Sequence, residues 1–177
     1  PYARTAAQIK SDYLAGASMV GVAALLGNYD QANLSNGLVG YWKMDEASWS
    51  GTAGEVSDAS GNGNNGQSQN ATLTTGKFGN GGNFAGDNDY VSIAESTSLQ
   101  PGTQMTISAW VKADALASDI SLIDKTNNGY GFALKLNSGT PQFRNGTGAA
   151  YSDLSATSTI STGVWYHLVG TLDSAGN

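Results

Sequence analysis

The residues best suited to chemistry gather in two acidic, glycine-rich loops. The run from Gly37 to Gly66, GLVGYWKMDEASWSGTAGEVSDASGNGNNG, begins with apolar side chains and ends with Asp58, Asn62, Asn64 and Asn65 set among glycines. Carboxylate, amide and backbone oxygens turned to one point suit a hard cation such as calcium, which takes six to eight oxygen ligands. DASGNGNNG lacks the bidentate glutamate that closes an EF-hand loop, so any such site is of another kind. The same side chains have a second use, capping their own backbone in turns. FAGDNDYV, residues 84–91, adds Asp87 and Asp89 as candidate metal ligands, and it reads equally as a turn between Phe84 and Tyr90.

Sugars bind by laying their CH faces on exposed rings beside hydrogen-bonding amides. Trp49, Tyr130 and Tyr151 lie in or beside polar loops and are the candidate ligand contacts; Trp42, Trp110 and Trp165 fall in strand-like runs, where packing is their expected role. Glycoside hydrolysis needs two carboxyl groups about 5 to 9 Å apart. The glutamates are Glu46, Glu55 and Glu95, and none sits in a pattern that sets acidic residues side by side on one sheet face. His167 is the sole histidine and has no nucleophile elbow beside it, which leaves it a structural role. No catalytic residue is assigned, and the chain is expected not to be an enzyme.

These loops need a rigid frame. From Gly37 onward short apolar runs alternate with period two and are broken by turn residues, the pattern of an antiparallel sandwich. Met105, Ile107, Ala109 and Val111 form one inward row, and Tyr130, Phe132, Leu134 and Leu136 another. Asn127-Asn128-Gly129 and Asn137-Ser138-Gly139 supply hairpin turns, so Leu122-Ile123, the row from Tyr130 and the segment near Phe143 make a meander. Trp42, Phe84, Ile107, Val111, Leu134 and Leu168 are the expected core. Ahead of the sandwich, Thr5-Ala6-Ala7-Gln8 has the form of a capping box, which predicts a short helix over residues 5 to 15.

In order and spacing, GLVGYWKMDE, DASGNGNNG, GKFGNGGNFAGDNDYVSI, TISAWVKAD, LIDKTNNGYGFAL and GVWYHLVGTLDSAGN resemble the laminin-G-like jelly rolls of the concanavalin A-like lectin and glucanase superfamily, in the form found in bacterial multidomain surface proteins. The resemblance implies an all-β, two-sheet antiparallel jelly-roll sandwich over residues 37–177, with calcium near the loop that holds Asp58. Relatives continue past the VGTLDSAGN turn with further strands and a closing helix, and YARTAAQIKSDY is similar to that helix. Residues 1–16 are therefore expected to close a preceding repeat, 17–36 to link, and 37–177 to form a jelly roll lacking its last strands.

Composition narrows the function. The chain has 177 residues, no cysteine, 12% charged residues and a net charge of -6. An acidic balance argues against nucleic acid, whose phosphates call for a basic stripe. No apolar run reaches the ~20 residues of a membrane span. The expected function is a non-catalytic extracellular binding module, secreted or at the cell surface, recognising carbohydrate or a surface or matrix ligand beside neighbouring repeats of its own chain. A structural spacer without a ligand is the alternative.

Overall fold

The computed structural model describes residues 5, 7, 9, 37–86, 88–100, 102, 104–148 and 150–173. The expected helix over 5 to 15 and the linker over 17 to 36 lie outside these except at Thr5, Ala7 and Ile9, where the Ile9 amide donates to the Thr5 carbonyl at 3.0 Å. Asp87 also lies outside them. The remainder is all-β apart from one 3-10 turn, Thr97–Leu99, capped by the Ser96 hydroxyl. Two compact units divide at Gly102.

The first unit holds β1 (Gly66–Gln69), β2 (Thr72–Thr75), β3 (Asn80–Asn83) and β4 (Tyr90–Ile93). β1 pairs with β4 and β2 with β3, both antiparallel. The GLVGYWKMDE run does not form the expected strand. Trp42 makes one isolated bridge to Asp58, and Met44 at φ 58° turns the chain out of the extended region. Phe84 is likewise not a core residue. β3 ends one residue before it, and its ring folds back over Gly82, where no Cβ stands in the way, and stays 47% exposed.

The second unit holds β5 (Met105–Lys112), β6 (Ile120–Asn127), β7 (Tyr130–Asn137), β8 (Thr140–Thr147), β9 (Tyr151–Ser155) and β10 (Trp165–Leu172). β5 and β10 pair antiparallel from Trp165↔Lys112 to Leu172↔Met105, and β6-β7-β8-β9 form an antiparallel meander. The two predicted tight turns are present. Asn128 and Gly129 have φ of 48° and 85°, and Ser138 and Gly139 have 48° and 82°, the double positive φ that lets a two-residue turn follow the twist of its strands.

The inner faces of these two sheets meet over an apolar core. Leu134, Leu136, Ile160 and Leu168 are buried there, with Ile107, Val111, Leu122 and Ile123 packed against them, and Met105, Phe143 and Leu172 form a second cluster. Each large side chain so buried contributes about 1.5 to 3 kcal/mol. Two sheets packed in this way are consistent with a jelly-roll sandwich. Tyr130, expected in the inward row, is instead 61% exposed, at the first position of β7 beside the turn.

The outer faces differ from simple polar alternation. On β5 and β10, Trp110 stacks on His167 with ring centroids 5.1 Å apart, and Lys112 lies 5.5 Å from the Trp165 ring centre. On β7, Ala133 and Lys135 are as buried as the inward leucines, and the Lys135 ammonium is neutralised by an ion pair with Asp119.

Candidate functional site

The loop that follows Trp42 is organised around one carboxylate. Asp58 Oδ1 accepts from the Tyr41 and Ser60 amides, each at 2.9 Å; Oδ2 accepts from the Ser60 hydroxyl at 2.8 Å and the Asn64 amide at 3.0 Å. Asn62 donates through Nδ2 to the Leu38 carbonyl at 3.0 Å. Asn64 is 6% exposed and donates to the Val39 carbonyl and the Ser98 hydroxyl, both at 2.8 Å, while its own carbonyl accepts from Trp42 Nε1 at 2.7 Å. Asp58, Asn62 and Asn64 are therefore brought together. Asp89 holds a separate turn, its Oδ2 accepting from the Ala85 and Gly86 amides at 2.9 Å. Among the described residues no group of three or more acidic or histidine side chains is placed to hold a metal ion.

Two glutamates do the same work, which composition alone did not reveal. Glu46 accepts from the Ser57 amide at 2.9 Å and from Trp49 Nε1 at 3.1 Å. Glu55 accepts from the amides of Ser50, Gly51 and Ser68 and from the hydroxyls of Ser50 and Ser68. Partial desolvation raises its pKa, but the Ser68 hydroxyl and the three amides outweigh this and lower it from 4.5 to about 2. Asp58 is lowered in the same sense, its bonds to Ser60, Tyr41 and Asn64 outweighing desolvation.

A carboxyl whose pKa falls on folding stabilises the fold at pH above its unfolded value. Stability should thus be at its full value above pH 4.5 and decline as pH drops towards 2. Melts followed by circular dichroism across that window should show this decline, and Glu55→Gln should flatten it; a wild-type midpoint constant from pH 4.5 to 2 would contradict the assignment.

The three candidate ring contacts have separate fates. Trp49 is half-buried in the first unit, tethered to Glu46. Tyr151 packs across Gly146, its hydroxyl accepts from the Gly129 amide at 3.0 Å, and the Arg144 guanidinium lies 5.1 Å from its ring centre. Arg144 is itself held by Asp153 through two bonds of 2.7 Å, which keep the Asp153 carboxyl below its ordinary pKa. Tyr151 is thus tied down at both its ring and its hydroxyl.

Tyr130 is the most exposed of the three rings, at 61% against 38% for Tyr151. Its cross-strand partners are Asn127 on β6 and Thr147 on β8, so an amide and a hydroxyl flank it on the same face. All three are exposed. Tyr151 pairs with Gly146, which itself pairs with Gly131, one residue from Tyr130, so the two tyrosines project to opposite faces of the sheet. Beneath the Tyr130 ring is Gly148 at φ 100°, where a Cβ would occupy the space of the ring.

Asn127 and Thr147 were not among the candidate contacts, yet the signal was available. A two-residue turn at 128–129 sets Asn127 opposite Tyr130, and one at 138–139 sets Asn137 opposite Thr140 and, counting along the strands, Tyr130 opposite Thr147.

The family model for the concanavalin A-like lectin/glucanases superfamily matches residues 84–177. No curated protein and no solved structure matches the chain.

Proposed function

We propose that this chain, which belongs to the concanavalin A-like lectin/glucanases superfamily, is a non-catalytic binding module that recognises carbohydrate through the row Asn127, Tyr130 and Thr147. The observation that carries the reading is the exposed Tyr130 ring, 61% accessible, set between an amide and a hydroxyl at the end of the meander. A sugar ring presents an apolar CH face with hydroxyls at its edge, and this row offers a matching plane and matching polar partners. Five described carboxylates of the first unit support a binding role over hydrolysis. Glu46, Glu55, Asp58 and Asp89 are spent on loop hydrogen bonds, and Glu95 accepts from Gln100. A glycan ligand puts the working place of the chain outside the cell or at its surface.

Tyr130→Ala removes the platform. On the scale of an aromatic pair, about 0.5 to 1.5 kcal/mol, Kd should rise roughly two- to twelvefold. A glycan array probed with wild type and Tyr130→Ala, each checked for folding by circular dichroism, tests this. Binding of a defined subset of glycans, weakened in the variant, is expected. Absence of any bound glycan, or equal binding by both proteins, would overturn the reading and favour a spacer.

A further inference from the structure

The loop between Trp42 and Gly66 has the composition of a cation site, but the carboxylate at its centre faces donors of its own loop. An ionised carboxylate offers about four lone-pair positions. All four on Asp58 are filled, by the amides of Tyr41, Ser60 and Asn64 and the hydroxyl of Ser60, at 2.8 to 3.0 Å. Asn65 Oδ1, a further oxygen of the kind calcium takes, accepts from the Asp58 amide at 2.8 Å. Asn62 and Asn64 are anchored through their Nδ2 groups to the carbonyls of Leu38 and Val39.

The donors that surround Asp58 are therefore N–H and O–H groups, whose positive ends repel a cation and attract an anion. We infer that the loop is a nest for its own aspartate, with Asp58 serving as the internal anion that orders residues 41–64, and that its folding is independent of calcium. The downward shift of the Asp58 carboxyl fits such a nest, since hydrogen bonds to the ionised form favour it. A cation entering the loop would have to displace at least one of these donors for every ligand bond it formed with Asp58.

Calorimetric titration of the wild-type chain with calcium, beside melts in saturating calcium and in chelator, reads this directly. No binding heat and a single melting midpoint in both conditions are expected. Asp58→Asn keeps the shape but replaces an acceptor by an amide that faces other donors. It should lower the midpoint by on the order of 5 °C, equally with and without calcium. A wild-type midpoint that rises in calcium, with the rise lost in Asp58→Asn, would overturn the inference. The wild-type titration is decisive by itself if the variant does not fold, because saturable calcium binding there that lifts the midpoint would contradict it.

Discussion

Leu134→Ala should cost about 2 to 5 kcal/mol of unfolding free energy, the range for emptying a packed core site. Leu134 is 2% exposed at the centre of β7 and packs with Leu136, Ile160 and Leu168 where the two sheets of the second unit meet. The space it leaves is walled by strands paired on both sides of β7, so the surroundings have little freedom to close it. The control is Leu154→Ala on β9, where the side chain is 65% exposed and the change should stay within about 0.5 kcal/mol. Urea denaturation of both variants gives the comparison. Similar, small losses would mean that the sheets do not pack as described.

Gly148→Ala should have the next largest effect, and it should separate stability from binding. At φ 100° an alanine is strained, and its Cβ would fall on Cζ, Cε1 and the hydroxyl of Tyr130. The backbone strain costs of order 1 to 3 kcal/mol. The ring must also swing away from its glycine seat, so affinity for an array-identified glycan should drop at least as far as in Tyr130→Ala. Urea melts and a titration on the same preparation measure the two effects. A variant that melts and binds as the wild type would show that Gly148 does not seat the ring.

What the sequence made legible follows from how local each determinant is. Asn128-Gly129 and Ser138-Gly139 specify tight turns by themselves, since few residues tolerate positive φ, and the meander β6-β7-β8 follows from them. Leu134 and Leu168 are buried as their rows imply, with Ile107 and Val111 packed beside them. Phe84 and Tyr130 carry the same apolar signal, yet each lies at or past a strand end, where periodicity says nothing about cover from another sheet. The run at Trp42 reads as a strand because its residues are apolar, but pairing needs a partner backbone, and among the described residues Trp42 finds one only at Asp58.

The first unit was harder to read for a further reason. An Asp or Glu among glycines looks the same in sequence whether it faces a ligand or its own amides; only the positions of Tyr41, Ser50, Ser68 and Asn64 relative to Asp58 and Glu55 decide between the two. The pairing of Arg144 with Asp153 and the packing of Tyr151 across Gly146 likewise depend on the β8–β9 register, which the longer connection between those strands leaves unspecified.

Under the proposed function, ligand recognition is seated on the row Asn127, Tyr130 and Thr147. The most direct test is an amide chemical-shift map of the isotope-labelled chain titrated with the oligosaccharide that binds most strongly on the array. Saturable shifts concentrated at Asn127, Asn128, Tyr130, Thr147 and Gly148 are expected, with the saturation moved to higher ligand concentration in Tyr130→Ala. Shifts that instead cluster around Trp49 and leave the β6-β7-β8 hairpin ends unmoved would contradict it.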